Sequence, residues 1–250
     1  MKSAAILRSL FPSRKRNREI HKVDIHSHLL PGIDDGVKTI NESLELLSAF
    51  KKAGVIKVIT TPHIKNEYYP NTPKKIKGEL GKLREAAQDA GIDIEIDAAA
   101  EYYLDESFIR AIESDSQNLL IFNEQYLLFE TSFTVRPIGL EDAIFSMRSK
   151  NINPVLAHPE RYLYLREDWG AVLRLKELGT LFQLNINSLG GFYSKDAKKL
   201  AERLIDHRMV DFVGSDCHSM RHFDAMSNTI SKSRYWDKLM QLPLKNFELA

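Results

Sequence analysis

Asp24-Ile25-His26-Ser27-His28 sets two imidazoles two residues apart at the end of a short apolar run, and the two-residue period of a strand turns both to one side of its sheet. Such a pair can grip one metal ion. The stretch Pro31-Gly32-Ile33-Asp34-Asp35-Gly36 follows, a turn-rich loop whose two carboxylates can reach back over that strand end. Thr61-Pro62-His63 and Ala157-His158-Pro159-Glu160-Arg161-Tyr162 each place a histidine beside a proline that stiffens the loop. Glu101 and Glu130 end strongly apolar runs, where a buried carboxylate needs either an arginine such as Arg136 or Arg161, or a cation. Gly214-Ser215-Asp216-Cys217-His218 adds one more carboxylate and imidazole two apart. Cys217, between them, points the other way and reads as a small packed residue.

Each histidine taken singly has a packing explanation, but a whole rim of strand ends offering His, Asp or Glu does not. The candidate ligands are His26, His28, Asp35, His63, Glu101, Glu130, His158, Asp216 and His218. Nine donors of mixed nitrogen and hard oxygen character suffice for three ions. Without thiolate, the mixture suits Mn, Fe or Zn in open catalytic coordination. Ions about 3.5–4 Å apart can share a hydroxide and clamp a phosphoryl oxygen, the two-metal logic of phosphoester hydrolysis. His21, His207 and His222 fall outside these strand ends, although His222 and Arg221 are placed to line the rim.

The elements that must position these residues alternate short β-branched runs with longer amphipathic stretches, the pattern of repeated βα units around a parallel sheet. Seven strands are expected: Val23 to Ile25, Val55 to Thr60, Ile92 to Ala100, Tyr126 to Phe129, Pro154 to Ala157, Leu181 to Asn185 and Val210 to Val213. Thr39 and Glu42 are spaced as a capping box for a helix that Gly54 stops. Thr72-Pro73 opens a second helix running to Gly91. Further helices are expected over 107–113, 139–150, 168–178 and 194–208, with a tail helical from His222 and broken at Pro243. Seven strands in one unsplit chain suggest a closed or nearly closed barrel. The chemically capable residues fall at the C-terminal strand ends, where the loops of such barrels build active sites.

The 250 residues are 43% hydrophobic and 28% charged, ordinary for a well-cored globular chain, and one cysteine excludes an internal disulfide framework. A reducing, cytoplasmic setting is the natural expectation. Thirty-five basic against 34 acidic residues argue against a protein that blankets nucleic-acid phosphates. The charge is uneven, since residues 1–22 hold seven Lys/Arg against Glu19 and leave the remainder at −5. That basic arm, a 1–21 extension ahead of a single catalytic domain over 22–250, lacks the uninterrupted apolar stretch of a leader because Arg8 breaks Ala4 to Leu10. It is either a solvated terminus or a short interfacial helix drawn to anionic lipid or an acidic partner.

Taken together, His26-x-His28, the Asp34-Asp35-Gly36 loop, Thr61-Pro62-His63, Ala100-Glu101, Phe129-Glu130, His158-Pro159-Glu160-Arg161-Tyr162 and Ser215-Asp216-x-His218 resemble the polymerase and histidinol phosphatase (PHP) superfamily. Within it the pattern is similar to the bacterial manganese-dependent protein-tyrosine phosphatases of capsule and exopolysaccharide clusters. The resemblance covers about residues 22 to 220 and implies an α/β fold, a distorted TIM-like (β/α)7 barrel carrying three Mn²⁺ ions. It further implies that His26, His28, Glu101 and Asp216 hold one ion, Glu101, Glu130 and His158 a second, and Asp35, His63 and His218 a third. A metal-bridging hydroxide would then hydrolyse phosphotyrosine, with Arg161 and secondarily Arg221 as phosphate clamps. Tyr68, Tyr69, Phe192 and Tyr193 lie in rim loops where they could stack on a tyrosyl ring. The implied partners are a tyrosine-phosphorylated protein, such as a bacterial tyrosine kinase tail, and further copies of the chain in a homo-oligomer. A small-molecule phosphatase acting on histidinol phosphate, a nuclease and a non-catalytic metal-stabilised binding module are the competing readings. The C-terminal Gln241-Leu242-Pro243-Leu244-Lys245-Asn246 departs from the tail expected of that family.

Overall fold

The computed structural model describes residues 20–250; the basic arm of residues 1–19, and with it the expected lipid or partner contact, lies outside the described residues. Among the described residues no helix is long and apolar enough to cross a membrane. Ile20 and His21 are already buried, with His21 Nε2 3.1 Å from Asp24 Oδ1.

Strands and helices alternate from the start. β1 (Val23–Asp24) is followed by α1 (Ile40–Ala53), β2 (Lys57–Thr60), β3 (His63–Ile64), α2 (Pro73–Asp89), β4 (Glu95–Ala98), β5 (Glu101–Tyr103) and α3 (Glu106–Ser114). β6 (Tyr126–Glu130), α4 (Leu140–Ser149), β7 (Asn153–Ala157), α5 (Leu163–Glu167), α6 (Trp169–Glu177), β8 (Leu181–Asn185), α7 (Lys195–Asp206), β9 (Phe212–Gly214), α8 (Met220–Lys232) and α9 (Arg234–Leu239) complete the order. The caps fall where their residues require. Thr39 accepts from Glu42 N at 3.3 Å, while Glu42 Oε2 accepts from Lys38 N at 2.7 Å, and Gly54 ends α1 in the left-handed conformation. Thr72 caps α2 with Pro73 at its first position.

All strand pairings between these elements are parallel, in the orders β1-β2-β4 and β3-β5-β6-β7-β8-β9. The nine strands are seven rods, because β2 and β3 are one rod interrupted at Thr61-Pro62, and β4 and β5 are another interrupted at Ala99-Ala100. Pro62 has no N–H to give a ladder, and the rod alongside breaks at the same level. The seven expected strands are therefore present, with two bent near the site. α5 was not expected, and β9 begins two residues later than the β-branched run suggests.

Side chains separate into two layers by strict alternation. Tyr126 and Leu128 of β6, Val155 and Ala157 of β7 and Phe212 of β9 join Val23, Ile25, Ile59 and Ala99 in an inner cluster supplied almost wholly by strands. Leu127, Phe129, Leu156, Phe182, Leu184 and Val213 face outward into the larger cluster shared with the helices. The fold is a distorted TIM-like (β/α)7 barrel.

The last rod meets the first through a seam stitched largely by side chains. Near the rim Asp216 N donates to His26 O at 2.7 Å and His28 N to Cys217 O at 2.9 Å. Below them buried Asp24 accepts from Ser215 N and Ser215 Oγ at 2.8 and 2.7 Å. Lower still, buried Asn246 donates to Val23 O and Val213 O and accepts from Val213 N, each at 2.9 Å. The C-terminal tail thus helps to close the barrel. Asn246→Ala strands three buried backbone groups and is expected to cost about 2–4 kcal/mol of stability. Urea unfolding of the metal-free protein measures this, and an unmoved midpoint would show that the seam does not depend on Asn246.

Candidate metal centre

Four inward columns of the barrel run on into a polar residue, whereas His26 and His28 share the parity of Asp24 and not that of the inward Val23 and Ile25. Ala99 is followed by Glu101, Leu128 by Glu130, Gln183 by Asn185, and Phe212 by Gly214 and Asp216, so alternation alone delivers these side chains to one rim. His158 follows the inward Ala157 directly and would face outward in an unbroken strand. Its left-handed backbone, φ +35°, shifts the phase and turns it inward. Asp216 is also left-handed at φ +50°, and each such non-glycine residue costs about 1–2 kcal/mol that the surrounding contacts must offset.

The nine expected ligands are brought together. Glu101, fully buried, is at the middle: its Oε2 lies 3.3 Å from His26 Nε2, 3.5 Å from His28 Nε2 and 3.0 Å from His63 Nδ1. Its Oε1 lies 3.0 Å from His158 Nε2. Asp216 Oδ1 is 3.5 Å from both His26 Nε2 and His28 Nε2. Asp35 Oδ1 is 3.4 Å from His63 Nε2 and 3.5 Å from His218 Nε2. Glu130 Oε1 is 3.4 Å from His63 Nδ1, with His158 Nε2 3.9 Å from its Oε2. Three groups can each hold an ion: His28, Asp35, His63 and His218; His26, His28 and Glu101; and His63, Glu101 and Glu130. Compared with the partition that the resemblance implies, His28 joins the Asp35 group, His63 stands in place of His158 in the Glu130 group, and Asp216 is missing from the His26 group.

These residues fit a divalent cation. Ligands sharing an ion at about 2.0–2.2 Å stand roughly 3–3.5 Å from one another, which is the spacing found around Glu101 Oε2. That oxygen and His63 Nδ1 are buried without a hydrogen-bond partner. The imidazoles are also turned for coordination. His26 Nδ1 donates to Gln183 Oε1 at 2.7 Å, His28 Nδ1 to Asp34 Oδ2 at 2.8 Å and His218 Nδ1 to the Asp216 carbonyl at 3.0 Å, leaving each Nε2 lone pair to the cluster. Glycine is required behind them. A Cβ at position 214 would meet His26 Cβ at 2.6 Å and Gln183 Nε2 at 2.7 Å, and one at position 36 would meet His28 O at 2.2 Å.

The electrostatics are those of a site short of positive charge. Burial, then the Glu101 carboxylate beside it, pushes the Glu130 carboxyl up to about 8. Burial opposes protonation of His26, yet Glu101 and Asp216 outweigh it and raise the imidazole to about 9. Burial and the Arg161 guanidinium hold His158 down to about 4, the neutral form that a metal takes.

Arg161 touches Asp216 rather than standing free. Its Nη1 donates to Asp216 Oδ2 at 2.9 Å, an oxygen that also accepts from Asn185 Nδ2 at 2.7 Å and Tyr193 OH at 3.1 Å. The guanidinium lies between the Phe133 ring, 4.5 Å away, and the Tyr193 ring, 4.2 Å away. Arg221 is exposed, 5.7 Å from the Phe192 ring, and is not among the residues lining the cleft over the cluster. That cleft, about 460 Å³, is walled by Tyr68, Tyr69, Phe133 and Tyr193 and also admits Lys65 and His222. Tyr69 stacks on His63, with ring centroids 5.5 Å apart. Phe192 packs instead against Tyr193 and His222. Phe133, Lys65, Gln183 and the orienting role of Asp34 were not foreseen. Gln183 alone carried a usable signal, a polar residue on an inward strand column. His207 sits on Trp169, away from the site.

The fold and the site define a parallel barrel whose rim carries a buried His/carboxylate cluster able to hold metal ions. The profile of the capsular polysaccharide synthesis family CpsB/CapC matches residues 22–238, and the chain belongs to that family. It is 30% identical over 202 residues to the tyrosine-protein phosphatase YwqE of Bacillus subtilis (strain 168), covering 80% of this chain and 78% of YwqE. A crystal structure from the pair YwqE of Bacillus subtilis and CpsB of Streptococcus pneumoniae, metal-dependent tyrosine phosphatases, superposes with a TM-score of 0.77 at 27% identity. The superposition covers 88% of this chain and 90% of that one. Histidinol phosphate phosphatase of Lactococcus lactis shares the fold alone, with a TM-score of 0.52 and 12% identity over 85% of this chain and 93% of that one.

Proposed function

We propose that this chain is a metal-dependent protein-tyrosine phosphatase acting in capsule or exopolysaccharide synthesis, with His26, His28, Asp35, His63, Glu101, Glu130, His158, Asp216 and His218 as metal ligands. The observation that carries the reading is the convergence of His26, His28 and His63 on Glu101 Oε2 beneath an aromatic-walled cleft. The donor set, nitrogen and carboxylate without thiolate, favours Mn²⁺, with three ions matching the three groups and Fe or Zn as substitutes. Bound there, the cations would supply hydroxide at neutral pH and neutralise charge on the phosphoryl group.

The protein's own groups do the rest. Arg161, held flat between Phe133 and Tyr193, presents the rest of its planar fork for two phosphoryl oxygens while Nη1 keeps its bond to Asp216. Asp216 is kept in place by three donors on one oxygen, so its other oxygen faces His26 and His28 in a fixed direction. Tyr68, Tyr69 and Phe133 form the walls against which a tyrosyl ring stacks. A phenol leaves with a pKa of about 10, which makes a dedicated general acid less necessary than for an alkyl phosphate. A cysteine phosphoenzyme has no nucleophile here: Cys217, the chain's one cysteine, is fully buried, and burial pushes its thiol far up.

The proposed substrate is the phosphorylated tail of a bacterial tyrosine kinase, met in the cytoplasm by a single catalytic domain over residues 22–250 that assembles with copies of itself. Phosphate release from a phosphotyrosine peptide and its phosphoserine counterpart, with Mn²⁺ and with EDTA, tests the reading. Rapid release from the phosphotyrosine peptide alone, abolished by EDTA, is the expected result. Failure on both peptides with metal demonstrably bound would redirect the site to small phosphoesters such as histidinol phosphate.

A further inference from the structure

The wall of the cleft contains a cation that the phosphatase reading does not use. β3 runs into a closed turn in which Lys65 N donates to Tyr69 O at 3.0 Å and Tyr69 N to Lys65 O at 2.7 Å, so the Lys65 backbone is fixed. Its Nζ rests 4.0 Å from the Tyr103 ring centroid and 4.6 Å from that of Tyr68. Tyr103 stands two residues beyond Glu101 on β5, in the same inward column, so the ammonium lies one step toward the rim from the metal cluster. Among the described residues Lys65 forms no salt bridge.

Lys65 lines two spaces at once, the cleft over the cluster and a neighbouring groove of about 410 Å³ whose wall includes Tyr103, Asp105 and Arg110. The other charges of that groove are largely committed. Asp105 accepts from Phe108 N at 2.9 Å and Asn66 N at 3.3 Å, capping α3, and Arg110 is 3.4 Å from Glu106. A phosphotyrosine inserted in the cleft leaves its own backbone at the mouth, and the groove beyond Lys65 is an exit for the flanking chain.

We infer that Lys65 is a specificity-determining residue that pairs with a single acidic side chain flanking the phosphotyrosine, directing the substrate chain over Tyr103 into the neighbouring groove; this rests on the phosphotyrosine reading above. One acid fits better than an acidic run, because Glu67 on the same turn also lines the groove and repels further negative charge. The ammonium rests against two rings and meets no carboxylate at bonding distance. The effect therefore falls on the binding of peptides and weakens as salt rises.

The experiment compares kcat/KM, with Mn²⁺, for phosphotyrosine peptides that differ only by Glu, Gln or Lys placed in turn at each flanking position, using the full chain, Lys65→Met and Lys65→Glu. The native protein is expected to favour Glu at one position by about threefold to tenfold. Lys65→Met should bring that ratio to one, and Lys65→Glu should turn it toward a Lys-bearing peptide. Each ratio is taken within one enzyme, so a general loss of activity in a variant does not mimic it. A ratio of one at every position in the native protein, or a preference that survives in Lys65→Met, overturns the inference and leaves the phosphatase reading intact. If no phosphotyrosine peptide is hydrolysed, the reading of the site fails and this inference falls with it.

Discussion

Glu101→Gln is expected to lose both its metal and at least about a thousandfold of its activity on phosphotyrosine peptides. The substitution preserves volume, so the fully buried site is not hollowed. What changes is charge and donor character. One carboxylate oxygen faces His26, His28 and His63, and the other faces His158, so Glu101 belongs to two of the ion-holding groups at once. An amide in that place removes the negative charge shared by two cations and turns an N–H toward imidazole lone pairs meant for metal. Metal content per chain, measured by elemental analysis beside activity, decides the matter. Full occupancy in the variant would remove Glu101 from the cluster, whatever happened to the rate.

Arg161→Lys is expected to do the opposite, keeping its metal while kcat/KM falls about a hundredfold or more. Asp216 would still accept from Asn185 and Tyr193 on its outer oxygen, so the carboxylate that faces His26 and His28 does not swing away. A lysine offers no planar fork to two phosphoryl oxygens and no flat face to lie between Phe133 and Tyr193. The loss should be shared by every aryl phosphate, large or small, since the guanidinium meets the phosphoryl group and not the ring. Metal loss in parallel with rate would recast Arg161 as a prop for Asp216.

Much of this site was legible because barrel geometry makes local pattern and three-dimensional place coincide. Glu101, Glu130 and Asp216 lie at strand ends on inward columns, and a reader needs only the two-residue period to bring them to one rim. His158 was legible by type and by its proline neighbour, although its inward direction depends on a left-handed backbone that no periodicity shows. Lys65 and Phe133 escaped because nothing in a loop's residue order says which way the loop folds back. Asn246 escaped more completely. Its partners Val23 and Val213 lie 223 and 33 residues away, and the hydrogen bonds replace strand pairing that a pattern reading takes for granted. The seven rods were counted correctly, but two were expected to end at Thr60 and Ala100, and their resumption as His63–Ile64 and Glu101–Tyr103 shows only in the pairing of neighbouring rods.

The seam between the first and last rods has a bearing on how the protein is made. Asp24 and Ser215 bond across 191 residues, and His26 with His28 lies on one side of that join while Asp216 with His218 lies on the other. A chain leaving the ribosome from its N-terminus therefore exposes His26 and His28 long before Asp216, one of their two carboxylate neighbours, exists. The short turn bearing Asn246 emerges later still, after every strand of the barrel. A site that spans the seam is therefore complete only once Asp216 and His218 have joined His26 and His28, and a nascent chain stalled before them presents an open half-site.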